Sequence, residues 1–393
     1  MRHSPHMISR RMFLRSLSTL SAWGALGAIP GCQTSCQSTG KWDAPPESPF
    51  YRGRYSVRRA ILGVTPETTT MPFPQDRFSE TVYCPSTPFA GTFTADARNI
   101  SAAIYYPGPS TSYWPTVPIQ VALQEKNYPV IIFAHAKRDP TQFCQAPGPG
   151  LDPDIQDISK DFTRADFMLD HVSSYGCVAV VPDLSGLTFL GAIDRAQVLV
   201  AMYQFLASIN PLFQNRLDLN RILLCGHSTG GASCLIARGD LVSAGGPTPL
   251  AVGLIAPAVW GGSPPDVSAL ASSIAPNALM VIAGAVDTMQ AGVDPMATYV
   301  AGQAPKVLIT IPGANHFGYT SICSPDNKVC AAKDNPGTIV RIAQELTAAA
   351  YLAALLRRFA RGDQTVEPYL TGQQIVETDI FGVLGIKVQQ DGM

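Results

Sequence analysis

The stretch Gly226-His227-Ser228-Thr229-Gly230, with a further glycine at Gly231, sets a serine between glycines where the apolar run "ILLC" stops and the helix-like run "ASCLIA" begins. A serine on a sharp strand-to-helix turn needs this arrangement. Its backbone is strained, and side chains two positions to either side would collide. The competing reading is a tight connection with a small spectator residue. A serine hydroxyl is a weak nucleophile near neutral pH, so the first reading also requires a base within hydrogen-bond reach and an acid to orient that base.

The chain has six histidines. His3 and His6 belong to an N-terminal leader, and His171 precedes a strand, at the wrong edge of a sheet. His227 adjoins the serine and packs below the turn. His135 follows the strand "VIIFA" and is placed to shape the loop there. His316, in "TIPGANHFGY" just past the last strand, is left as the base. For the acid, Asp287 ends the preceding strand in "VIAGAVDTM", and Asp294, a little further on in a Gly/Pro loop, is its rival. Asp183 after "VAVVP" suits a structural cap. The chain order Ser228, Asp287, His316 is that of hydrolases with a strand-turn-helix nucleophile, not that of trypsin-like or subtilisin-like proteases.

Groups so far apart in sequence must be brought to one sheet edge. Short apolar runs, "ISAAIYYP", "YPVIIFAHA", "GCVAVVPD", "NRILLCGHS", "AVGLIAPAVW", "NALMVIAGAVD" and "KVLITIPGANH", read as strands. They alternate with helical periodicity in "DRAQVLVAMYQFLASI", "ASCLIARGDL" and the long "TIVRIAQELTAAAYLAALLRRFARG", which Gly362 closes. That alternation predicts a mostly parallel α/β sheet covered by helices, in one domain over 56–365. Ligands then meet the carboxyl ends of the strands. The tail, 366–393, is a C-terminal extension in which "QQIVETDI" is expected to add an edge strand. Arg361-Gly362-Asp363 is a helix end. Only "GGSPPDVSALASSIAP" separates two of the last strands, too little for a large lid, so an open cleft is expected with Trp260 as an aromatic wall.

With turn, acid and base in order, residues 56–365 resemble the α/β-hydrolase superfamily. The segments "YYPG", "PVIIFAHA", "GHSTGG", "AGAVDTM" and "GANHFGY" are similar to the branch of dienelactone hydrolases, chlorophyllases, platelet-activating-factor acetylhydrolases and cutinase-like bacterial polyester hydrolases. The resemblance implies an α/β-hydrolase fold with helices on both faces and no large lid domain. It implies a serine carboxylic-ester hydrolase with catalytic Ser228, Asp287 and His316, working through an acyl-enzyme without cofactor or metal. Oxyanion donors are implied at the main-chain N–H groups of Thr229 and Lys137, although this chain has Ala136 where glycine is usual. Trp260 and His135 are assigned to substrate binding, and an open cleft suits small, bulky or polymeric esters. A monomer is expected. An amidase or peptidase with the same triad, or a non-catalytic binding protein on the same fold, are the alternatives.

The 393-residue chain is 46% hydrophobic and only 15% charged, with net charge −1, so no basic field is available to gather nucleic acid. Residues 1–31 read as an export signal: "SRRMFL" resembles the twin-arginine type, followed by a modest apolar stretch. Lipidation at Cys32 and cleavage after Ala28 both remain open, and either places the protein outside the cytoplasm of a bacterium. Residues 32–55 are Pro-rich and read as a tether. Among nine cysteines, Cys323 and Cys330 flank a short polar loop and are the best disulfide pair. Cys177, Cys225 and Cys234 lie in apolar runs as free thiols, and Cys36, Cys84 and Cys144 are unassigned. Asp152, Asp154, Asp157 and Asp161 lack the glycine and terminal glutamate of a calcium hand, so they read as a solvated loop.

Overall fold

A computed structural model describes residues 48–62, 81–83, 90–92, 97–99, 102–108, 127–136, 165–184, 191–259, 266–273, 277–289, 293–320, 334–374 and 385–393. The export signal, Cys32, the acidic loop 152–161, Lys137, Trp260 and the Cys323 and Cys330 pair lie outside the described residues. So do Cys36, Cys84 and Cys144.

The strands are β1 (Ser56–Leu62), β2 (Thr81–Tyr83), β3 (Ala90–Thr92), β4 (Ala97–Asn99), β5 (Ala102–Gly108), β6 (Tyr128–Ala134), β7 (Val178–Pro182), β8 (Leu217–His227), β9 (Ala251–Ile255), β10 (Ala278–Gly284), β11 (Lys306–Ile311) and β12 (Lys387–Asp391). The helices are α1 (Asp166–Ser173), α2 (Ala192–Ile209), α3 (Thr229–Ser243), α4 (Val267–Ser272), α5 (Pro295–Ala301), α6 (Arg341–Ala360) and α7 (Glu367–Leu370). Ten strands form one sheet in the order β12-β11-β10-β9-β8-β6-β7-β5-β1-β2, while β3 and β4 pair separately. From β7 to β11 every pairing is parallel; β5 and β12 join antiparallel at either side.

The parallel strands are buried along nearly their whole length, as strands covered on both faces must be. Successive side chains on a strand take opposite faces. On β9, Val252 and Leu254 join the core beneath α2 and α3, whereas a Cβ on Gly253 between them would meet Leu352 and Leu355 of α6. The sheet therefore carries helices on both faces. Helix α6 is rich in alanine and almost wholly buried. It ends as its sequence predicts, with Gly362 at φ +70° and Asp363 paired to the buried Arg357 at 2.8 Å.

The tail and the end of the tether both hold structure that the sequence leaves unmarked. The edge strand of the tail is Lys387–Asp391, paired in register with Thr310 to Lys306 of β11; of "QQIVETDI", residues 375–380 lie outside the described residues. The end of the stretch read as a tether, 48–55, packs on the domain. Phe50 and Tyr55 are buried, His171 Nε2 donates to the Pro49 carbonyl at 2.8 Å, Gly53 N–H donates to Ser174 Oγ at 2.8 Å, and Arg52 pairs with Asp170 at 3.1 Å. No helix among the described residues is long and apolar enough to cross a membrane.

Candidate active site

Central strand β8 runs directly into α3, and Ser228 occupies the one residue between them with φ 57° and ψ −128°. Such a conformation costs a non-glycine residue on the order of 1–3 kcal/mol and persists only where its surroundings enforce it. Here they are main chain. Ser228 N–H donates to the Ile255 carbonyl of β9 at 2.9 Å, and its own carbonyl accepts from Gly231 N–H at 2.9 Å. The glycines act by close approach. A Cβ on Gly226 would lie 2.5 Å from the Gly230 main chain, and one on Gly230 would strike the Ala134 carbonyl of β6.

His316 follows β11 and brings its ring to the serine, with Nε2 2.9 Å from Ser228 Oγ. Its other nitrogen, Nδ1, is 3.0 Å from Asp287 Oδ2. An ionised carboxylate can only accept, so Nδ1 carries the proton and Nε2 is left to accept from the serine hydroxyl. Asp287 sits just beyond β10 with a fully covered side chain, and its Oδ1 accepts from Met289 N–H at 2.8 Å. The rival Asp294 is engaged elsewhere, as the cap of α5, where it accepts from Met296 N–H at 2.8 Å.

The remaining histidines separate clearly. His227 is buried; its Nε2 donates to the His316 carbonyl at 2.9 Å, with ring centroids 5.1 Å apart. Burial first, then neighbouring His316, pushes it down to about 3 despite that hydrogen bond, so it stays neutral beside His316. His171 is engaged by the chain at residue 49. His135, expected at the substrate, is 3% exposed and has both ring nitrogens on main chain. Nδ1 donates to the Ala136 carbonyl at 2.9 Å and Nε2 accepts from Leu184 N–H at 2.8 Å. Neither nitrogen is left for a ligand, and the ring fastens the loop after β6 to the loop after β7. Arg195 of α2 donates to the carbonyls of His135 and Leu184 behind it.

Thr229 opens α3, so its N–H is among those with no acceptor inside the helix, at the positive end of the helix dipole. Cys225 lies just before the turn, but burial pushes its thiol up to about 12, so it offers no competing nucleophile. Among the described residues no group of three His, Cys, Asp or Glu could hold a metal.

Three residues that no sequence pattern marks complete the surroundings. Asp334 Oδ2 accepts from His316 N–H at 2.6 Å, and Oδ1 accepts from Thr288 N–H at 3.0 Å and Thr288 Oγ1 at 3.1 Å. Gln344 of α6 holds Asn315, accepting from its N–H at 3.2 Å and donating to its carbonyl at 2.5 Å. Tyr319 is buried close to His227; burial, then Asp287 and Asp334, holds its hydroxyl well above the usual range. In sequence Asp334 stands in "KDNPG", which signals a turn and nothing more. No protein-family model matches this chain, and no curated protein matches it.

Proposed function

We propose that the protein is a serine carboxylic-ester hydrolase of the α/β-hydrolase fold. The observation that carries this reading is the unbroken run Ser228 Oγ, His316 Nε2, His316 Nδ1, Asp287 Oδ2, with links of 2.9 and 3.0 Å, on a serine at positive φ between the central strand and a helix. In this reading His316 takes the Ser228 proton as Oγ attacks the ester carbonyl. Asp287 stabilises the imidazolium, and His316 then returns the proton to the leaving alcohol. Water hydrolyses the acyl-enzyme by the same route in reverse. The developing oxyanion is received by the N–H groups of Thr229 and Lys137, each worth about 10²- to 10³-fold in rate. Anchoring of His135 and Ala136 by the His135 ring and Arg195 supports a rigid start to the second donor's loop.

Between β9 and β10 the described residues hold only the short α4, which supports an open cleft without a large lid, suited to bulky or polymeric esters. "SRRMFL" and the apolar stretch after it support export by the twin-arginine route, with Cys32 as a site for a lipid anchor.

A fluorophosphonate probe with peptide mapping tests the nucleophile, and labelling at Ser228 is expected. A folded protein that resists the probe is a binding protein on this fold. p-Nitrophenyl esters of increasing acyl length, matched p-nitroanilides and an aromatic polyester film then define the substrate. Turnover of esters far above anilides is expected, and equal turnover would make the protein an amidase.

A further inference from the structure

We infer that Asp334 is a positioning residue of this site, a carboxylate brace that holds the acid-bearing and base-bearing loops in register through Thr288 and the main chain of His316. The inference rests on the triad reading above. Asp334 is 5% exposed, and no cation pairs with it among the described residues. What compensates its burial is a convergence of donors: Thr288 N–H and Oγ1 on one oxygen, His316 N–H on the other. A carboxylate accepts at both oxygens, whereas an amide of the same shape would turn an NH₂ group toward one set of donors. These donors are significant by position. Thr288 is the residue after Asp287, and the His316 N–H belongs to the base itself.

The neighbourhood of Asp334 is sewn in the same direction. Asn335 N–H donates to Thr288 Oγ1 at 3.3 Å, so this hydroxyl gives to the carboxylate and accepts from the next residue. Asn315 Nδ2 donates to the Asn335 carbonyl at 3.0 Å, and Thr338 N–H to the Gly313 carbonyl at 2.9 Å. On the opposite side His227 holds the His316 carbonyl. The backbone of the base is thereby gripped at its N–H and its C=O; Val286 N–H ties the two loops through the Ala314 carbonyl at 3.0 Å, and the Asp334 side chain ties them again, from His316 itself to the residue after the acid. Because the imidazole must meet Asp287 and Ser228 at once, slippage of the loop carrying His316 disturbs both links, and slippage of the loop carrying Asp287 disturbs the one at Nδ1. Asp334 touches neither ring nitrogen, so its effect is on placement.

The test compares Asp334→Asn and Thr288→Val with wild type, using fluorophosphonate labelling rate at Ser228, kcat and KM on a p-nitrophenyl ester, and the low-field proton resonance of His316 Nδ1–H. Asp363→Asn, which loosens the Arg357 pair at the end of α6, is the control for lost stability alone. Asp334→Asn is expected to slow labelling and kcat by about 10- to 100-fold, the scale of misplacing a catalytic group by about 1 Å. KM should change little and the low-field proton should broaden or vanish. Thr288→Val should slow labelling several-fold, with no further loss when combined with Asp334→Asn, while Asp363→Asn should label at the wild-type rate. If wild type itself does not label, the triad reading falls and the brace with it. If wild type labels and folded Asp334→Asn labels equally fast, the brace alone is wrong. Should Asp334→Asn not fold, Thr288→Val decides: labelling at the wild-type rate overturns the inference.

Discussion

The turn carrying Ser228 and the two loops carrying Asp287 and His316 meet within hydrogen-bond distance, yet the means that hold them are only partly the same. At the turn, main chain is fitted against main chain: β8 against β9 through Ser228 and Ile255, and α3 against β6 with no room for a Cβ at Gly230. At the loops, main chain also meets main chain, with Val286 N–H on the Ala314 carbonyl at 3.0 Å and no room for a Cβ at Gly284, but side chains from elsewhere in the chain hold the backbone as well: His227, Asp334 and Gln344. The first region should therefore fail when atoms are added, and the second also when polar groups are removed.

The largest effect belongs to the atom that both regions serve. Ser228→Ala should lower ester turnover by about 10⁵- to 10⁶-fold with an unchanged circular dichroism spectrum, since it deletes only the hydroxyl; retention of a tenth of the activity would remove Ser228 from the role. Next comes a contrast among the acids. Asp287→Asn should cost about 10⁴-fold in kcat by leaving His316 in the wrong tautomer. Asp294→Ala should keep kcat and lose about 1 kcal/mol of stability, the usual worth of a helix cap. The reverse ranking in steady-state assays would transfer the acid to the other residue.

A pair of glycines on α3 sharpens the steric half. Gly230→Ala should lower stability by about 2–3 kcal/mol, because the new methyl group overlaps the Ala134 carbonyl and neither strand nor helix can yield freely. Gly239→Ala, where the added carbon meets nothing within 4 Å, should raise stability by about 0.5–1 kcal/mol. Denaturant midpoints measure both, and equal effects would mean that the close approach at Gly230 is not what holds the turn.

The smallest effect is a slope with pH. Burial is the main cause that lowers His171 to about 4 and His227 to about 3, against about 6.5 in an unfolded chain. Between these values the unfolded state binds protons that the folded state refuses, so stability rises with pH. The contribution is complete above about 6.5 and is lost as pH falls toward about 4 for His171 and about 3 for His227. His171→Gln should remove one proton's worth of that slope between about pH 6 and 4.5, roughly 1.4 kcal/mol per pH unit, in urea titrations. An unchanged slope would mean that His171 does not stay neutral against Pro49.

The central strands and the three long helices α2, α3 and α6 are legible in the sequence because each strand is a short apolar run and each helix a long one, whereas α1, α4 and α5, of 8, 6 and 7 residues, are too short to show a period. Ser228 is legible for the same local reason: strand, glycines, serine, glycines and helix are contiguous, and the collision that demands glycine arises within five residues and the next strand. His316 emerges by elimination. Cys177, Cys225 and Cys234 are buried free thiols, as the apolar runs around them imply. The tail strand Lys387–Asp391 goes unmarked in the sequence because "KVQQD" lies almost wholly in water at a sheet edge and bears no apolar pattern. Residues 48–55 resemble a tether because Pro and Gly conceal the partners, Ser174, Tyr175 and His171, that lie more than a hundred positions on.

Sequence by itself determined the layered α/β architecture and the strand-to-helix turn at Ser228, since these depend on periodicity and on contacts between near neighbours. Only the tertiary structure separated Asp287 from Asp294, because both are aspartates in the connection after β10 and differ in what the fold sets before them: an imidazole in one case, the open end of a helix in the other. It also turned His135 from a substrate contact into a fastening between two loops, and gave Asp334 partners 18 and 46 residues away. A hydrogen bond between such distant positions leaves no period or spacing in the sequence; it exists once parallel strands have brought their carboxyl ends to one edge.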